Sequence, residues 1–180
     1  MFTDNDFSSI TFKDIKIKKL KPMDSEWKNS IREDKWWSSY NDLEKIKELT
    51  RVCFASILCQ LREKLLSFGG EEVCLALSDP DYFKMIERGI LFPGKSKSMK
   101  GKPCQCHKNS CNLWRNNKDV TRICTGYALS DDGMWREHSW LVNLKEDKTP
   151  QIIETTTKRV AYYGFIMTYE ECVRFLEDNY

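Results

Sequence analysis

Four runs in the last third of the chain, TRICTGYALS, MWREHSWLVNL, PQIIETT and RVAYYGFIM, are rich in β-branched and aromatic residues and are separated by SDDG, KEDKTP and a Lys-Arg step. Such runs bounded by turn residues read as consecutive strands, so this part of the chain predicts an antiparallel sheet. A sheet needs cover on its apolar face. The remaining periodicities supply it as helices.

From Asn41 or Asp42, either of which caps a helix start, Leu43, Ile46, Cys53, Ile57, Leu61, Leu65 and Phe68 recur at three- and four-residue spacing until Gly69-Gly70. EEVCLALS (71–78) reads as a short strand; after it Asp79 caps a helix, Pro80 takes its first position and Gly89 ends it. A further helix spans roughly 107–117. The last covers TYEECVRFLEDN, where Thr168 and Glu171 have the spacing of a capping box.

SITFKDIKIKKL (9–20) alternates in part through Ile10, Phe12, Ile15 and Ile17 and reads as an edge strand protected by its lysines. Trp27, Trp36 and Trp37 are expected on the core. The punctuated, lysine-rich stretch after Phe92 reads as a mobile loop leading to Cys106, suited to recognising an acidic group or closing as a lid. Helices followed by an antiparallel sheet make the expected fold α+β. A single domain spans 1–180, with 1–100 mainly helical and 101–180 forming a helix and sheet around the candidate site.

A chain of 180 residues is long enough to bury a sizeable core. Its formal charge of +2 argues against a protein built to coat nucleic acid. The start has no signal-peptide pattern and no stretch is apolar enough to span a bilayer, so the expected location is cytoplasmic, with no membrane partner; export without a signal stays open. In that compartment the eight cysteines are expected as reduced thiols.

PCQCHKNSCNLW (103–114) holds three of those cysteines and one of the two histidines. A thiol at a helix N-terminus is a nucleophile in waiting, because unpaired N–H groups and the helix dipole stabilise its thiolate. Cys106 has that position. The base is expected to be His138, in a strand whose alternation puts His138, Trp140 and Val142 on one face. A hairpin centred on Glu146 sets Glu154 opposite His138, and a slip of two residues leaves them diagonal neighbours. There Glu154 would hold the imidazole in one tautomer.

A cysteine at a helix start, a strand carrying H-x-W-x-V, then a carboxylate strand ending in threonine resembles the papain-like and transglutaminase-like cysteine enzymes. CHKNSCNLW, TGYALSDDGMWREHSW and IETTTKRVAYYGF look more closely like an uncharacterised family of bacterial and phage-associated proteins. The resemblance covers roughly 101–165. It implies a papain/transglutaminase-like core with the cysteine helix packed on the sheet, and a Cys106, His138, Glu154 triad acting on amide, peptide or thioester bonds. A protein or peptide substrate, no cofactor and no metal are implied with it. Glu154 stands where Asp or Asn is commoner, and Gln105, directly before Cys106, replaces papain's more distant glutamine. Oxyanion donors are expected from the Cys106 N–H, Gln105 and Asn109, and substrate contacts from Trp140 and Tyr127.

Two readings from other classes stay open: a non-catalytic binding protein on the same fold, and a small zinc-stabilised interaction protein using Cys104, Cys106, His107 and Cys111, with Cys124 to complete the set. Cys104 is also placed to protect the nucleophile as a reversible disulfide. His107 is expected to cap the helix or line the cleft.

Overall fold

The structure, a computed structural model, describes residues 2–26, 29, 52–75 and 81–180. Helix α1 is Asp4–Ser8, α2 is Val52–Phe68, α3 is Tyr82–Arg88, α4 is Cys106–Arg115 and α5 is Tyr169–Asp178. The strands are β1 (Glu72–Cys74), β2 (Ile90–Pro93), β3 (Lys97–Ser98), β4 (Thr121–Leu129), β5 (Met134–Leu144), β6 (Pro150–Glu154) and β7 (Ala161–Ile166). The class is α+β. All seven strands form one sheet in the order β2-β7-β4-β5-β6-β3, with β1 joined to β5.

Two hairpins around β5 set the frame, and both turn through three-residue loops. In the first, Gly133 N–H donates to Ser130 O and Ser130 N–H to Met134 O, with Gly133 at φ +88°. In the second, Lys148 N–H donates to Lys145 O and Lys145 N–H to Thr149 O, with Lys148 at φ +61°. A type I turn closed by a left-handed residue is the usual three-residue hairpin. This centres the second hairpin on Asp147, one residue beyond the expected Glu146.

The sheet is mixed, which corrects the purely antiparallel expectation. β1 runs parallel to β5 and β3 parallel to β6, while the other pairings are antiparallel. Three strands therefore come from the part of the chain expected to be mainly helical. The 9–20 segment is not a strand. The two ends of the sheet are taken by β2 and β3, so it lies across a face instead, with Ile10 buried and Phe12 packed 5.3 Å from Phe92, centroid to centroid.

Both faces are covered. On one side Leu58, Leu61 and Leu65 of α2, Tyr82 and Met85 of α3, Cys111 and Trp114 of α4 and Cys172 of α5 pack on Ile123, Tyr127, Trp135, Leu141 and Phe165. On the other, Phe7 and Ile10 cover Cys124, Ala128, Trp140, Val142, Ile152 and Tyr162. Every residue of β4 is buried as a result. Arg122 staples the N-terminal segment down: its Nε donates to Asp4 at 2.9 Å, its guanidinium lies 4.5 Å over the Phe7 ring, and Nη1 holds the carbonyls of Lys118 and Thr121.

Helix α2 ends at Gly69-Gly70 as expected, both glycines at positive φ, and α3 ends at Gly89, whose N–H donates to Met85 O. The Thr168–Glu171 capping box is present in full. The expected cap at Asn41 or Asp42, the tryptophans at 27, 36 and 37, and Asp79-Pro80 lie outside the described residues. No helix among the described residues is long and apolar enough to cross a membrane.

Gly126 and Gly164 face each other between β4 and β7, and the Trp140 indole crosses the backbone there. A Cβ at Gly164 would sit 2.1 Å from Thr125 O and 2.9 Å from the indole edge. Gly164→Ala is expected to lower stability by about 1–3 kcal/mol, as overpacking does. Urea unfolding monitored by tryptophan fluorescence measures it; an unchanged midpoint would contradict the close packing.

Candidate active site

The second edge of β5 is shared. β1 pairs with residues 134–136 and β6 with residues 141–144, leaving residues 137–140 without a strand on that side. Leu144 N–H points to Val120 O beside β4, so by alternation the Ser139 N–H points into the gap. The N-terminus of α4 fills it. Helix α4 starts at Cys106, has no acidic residue in its first turn and no side-chain cap, so its first N–H groups are left for the thiol.

Cys106 Sγ lies near enough to the His138 ring and to the Ser139 and His107 N–H groups for all three to act on its charge. Burial pushes the thiol up. The hydrogen bond and charge of His138 and the two N–H groups outweigh it, so the thiol is held below its ordinary value. Burial drives four further thiols the opposite way: Cys74 and Cys111 are pushed up to about 11, Cys172 to about 12, and Cys124 well above its ordinary value.

His138 Nε2 lies 2.9 Å from Glu154 Oε2 and 3.1 Å from Oε1. That leaves Nδ1 for the thiol. Burial pulls the imidazole down, but the bonds to Cys106 and Glu154 and the charge of both hold it above its ordinary value. Glu154 is fully buried. Burial raises its carboxyl, while His138, the Thr156 N–H and the Tyr162 hydroxyl hold it below the usual carboxylate range.

The β6 register gives the two-residue slip. Leu141 pairs with Ile153 and Val142 with Ile152, so Glu154 is level with Trp140, and His138 is its diagonal neighbour on the same face. The longer arm of glutamate spans that diagonal.

Sequence reasoning missed the residues that hold Glu154. Tyr162 Oη donates to Oε2 at 2.9 Å; the Thr156 N–H and hydroxyl donate to Oε1 at 2.8 and 2.9 Å. Thr156 sits two residues on, as in an Asx-like turn, which ETT could have signalled. Tyr162 arrives from β7, across the sheet, and no local pattern announces it. Ser139 was also missed: its hydroxyl is 2.7 Å from His107 Nδ1 and donates to Thr125. His107 also packs edge-on to Phe175 at 5.5 Å. Burial and the charge of His138 lower its imidazole, so it stays neutral beside the pair.

The chain matches no protein family, no curated protein and no solved structure.

Several expected site roles are corrected. Trp140 is fully buried, 5.2 Å from Phe92 and 4.9 Å from Tyr162 between centroids, and lies nearly parallel to His138 at 6.4 Å. It positions the imidazole from within the core and offers no face to a substrate. Tyr127 is buried on the opposite face with its hydroxyl 3.3 Å from that of Tyr82. Asn109 holds the main chain of Lys102 from both ends, accepting from its N–H at 3.1 Å and donating to its carbonyl at 2.8 Å. These bonds tie the loop to α4 and use one of the two Nδ2 hydrogens. Gln105 is exposed beside Cys106, with its carbonyl taking the first helical bond from Asn109.

The lysine-rich loop is tethered, against the mobile loop expected. β3 lies on β6, Met99 N–H donates to Glu154 O at 2.8 Å and Gly101 N–H to Thr155 O at 2.7 Å. The proposed zinc ligands do not converge: Cys104 is exposed, Cys111 packs under the helices and Cys124 lies on the other face. Among the described residues no group of three or more His, Cys, Asp or Glu side chains is arranged to hold a metal.

Proposed function

We propose that the protein is a cysteine-dependent hydrolase or acyltransferase acting on an amide, peptide or thioester bond of a protein or peptide substrate. The observation that carries this reading is Cys106 Sγ set beside a buried His138 ring whose far nitrogen is bonded to a Glu154 carboxylate saturated by donors. A papain/transglutaminase-like arrangement, with the nucleophile on a helix start and the base and carboxylate on neighbouring strands, fits the same geometry.

In this reading Cys106 rests as a thiolate beside an imidazolium. Its sulfur attacks the carbonyl carbon, and the resulting oxyanion is taken by the Cys106 main-chain N–H, which lacks an intrahelical acceptor. Gln105 is near enough in sequence to add a donor. His138 then gives its proton to the departing amine or thiol as the carbon to leaving-group bond breaks, leaving an acyl thioester on Cys106. Water or an amine attacks that thioester, His138 accepts its proton, and the thiolate returns. Glu154 keeps Nε2 protonated throughout.

Iodoacetamide labelling of each cysteine against pH, read by peptide mass spectrometry, tests the resting pair. Cys106 is expected to react fastest below pH 8 and to titrate below the roughly 8.5 of a free thiol, whereas Cys111, Cys124 and Cys172 stay slow. Slow labelling of Cys106 with an ordinary profile would remove the enzyme reading and favour a binding protein on this fold.

A further inference from the structure

Between the tethered loop and α4 lies an open groove of about 700 Å³, lined by Gln105, the residue before Cys106, and by Thr155, the residue after Glu154. Its charge is one-sided. Lys100, Lys102 and Lys108 line it, Asn109, Asn112 and Asn116 add amides, and no carboxylate is among the lining residues.

All three lysines are exposed, and none forms an ion pair among the described residues. Lys64, Lys95, Lys97 and Lys118 likewise have no ion pair among the described residues, and Lys108 Nζ lies 5.5 Å over the Tyr180 ring; what marks the groove is three cations gathered along it with no carboxylate among them. The groove lysines are also presented from a built surface. Asn109 clamps the Lys102 backbone, and Gly101 lies so close to it that a Cβ there would sit 2.4 Å from the carboxamide carbon.

A second observation points to a polar ligand. Thr155 is 2% exposed and its hydroxyl has no hydrogen-bond partner among the described residues. A buried hydroxyl left unpaired is costly, and Thr155 stands in the groove wall.

We infer that this groove is an anionic subsite that takes an acidic stretch of a peptide, seating glutamate or aspartate carboxylates against Lys100, Lys102 and Lys108 beside the acyl group presented to Cys106. The placement of the acyl group rests on the proposed cysteine chemistry; the charge selection does not. A peptide fits better than nucleic acid, because no aromatic side chain lines the groove for bases to stack on.

Binding to full-length Cys106→Ala protein separates the two readings. Peptides with four consecutive glutamates or four glutamines, carrying the same uncharged dye, are titrated by fluorescence anisotropy at low salt. The glutamate peptide is expected to bind about tenfold tighter or more. Raising salt to about 150 mM narrows the ratio, and the Lys100→Gln, Lys102→Gln, Lys108→Gln triple variant brings it close to one. Because these side chains are exposed, the thermal transition of the variant reports whether the fold is kept. Equal affinities in the parent, or a preference that survives in the folded triple variant, would overturn the inference. So would a ten-residue thymidine oligonucleotide that outcompetes the glutamate peptide. Failure of Cys106 to show activated labelling would instead remove the acyl-transfer reading and leave the measured charge preference as it stands.

Discussion

Glu154→Gln is expected to lower the unfolding free energy by about 3–5 kcal/mol, because removing one partner strands a buried charge. Glutamine is nearly isosteric, yet its amide N–H₂ would face groups that already donate: His138 Nε2–H, the Tyr162 hydroxyl, or the Thr156 N–H and hydroxyl. At least one buried donor then loses its acceptor.

The loss should vary with pH in a defined way. The Glu154 carboxyl is held below its ordinary value, so its contribution is complete above about pH 4.3 and is lost as pH falls through the lower native value. The His138 imidazole is held above its ordinary value, so its contribution is complete below about pH 6.5 and is lost as pH rises through the higher native value. The difference between parent and Glu154→Gln should therefore be greatest between about pH 4.3 and 6.5 and shrink on both sides. Urea unfolding across that range measures the difference; a cost below about 1 kcal/mol at pH 5.5 would show that the pair is not the buried charge system described.

His138→Ala is expected to slow hydrolysis of a simple thioester substrate by about 10²–10⁴-fold, the usual contribution of a positioned acid and base. The same change should move the Cys106 alkylation profile to higher pH. Without His138 the thiol keeps its burial and its two N–H donors but loses the hydrogen bond and positive charge that outweighed burial. Cys104, exposed two residues away, serves as the internal reference. His138→Gln, which keeps a donor for Glu154 but no base, guards against a loss caused by misfolding. If Cys106 keeps its parent labelling profile in both variants, His138 does not activate it.

Much of this site was legible in the chain because its determinants are local. Helix α4 starts at Cys106 where the Gly- and Pro-punctuated approach ends, the alternation of MWREHSWLVNL puts His138 and Trp140 on one face, and IIETT places Glu154 a hairpin away. A one-residue slip in the pairing would have put His138 and Glu154 on opposite faces; the observed slip is two. Moving its centre by one residue moves the partner by two, which preserves the face.

What local pattern could not carry was which face was covered, and by what. Alternation marks two faces but is silent when both are buried. Trp140 and Tyr127, on opposite sides of the sheet, both ended in packed cores instead of a cleft. The supporting donor Tyr162 and the tethering of the lysine loop depend on contacts between segments far apart in the chain. The gap beside Ser139 exists only because β1 and β6 share one edge of β5 without meeting.

By itself, then, the sequence determined α2 to α5, β1 and β4 to β7, and the order of Cys106, His138 and Glu154 as candidate nucleophile, base and carboxylate. Hydrogen-bond periodicity and capping act within a few residues, and the chain records them directly. Tertiary structure alone decided the thiol's N–H donors, the fourfold hold on Glu154 and the fate of the aromatics, because each needs groups that only folding brings into contact.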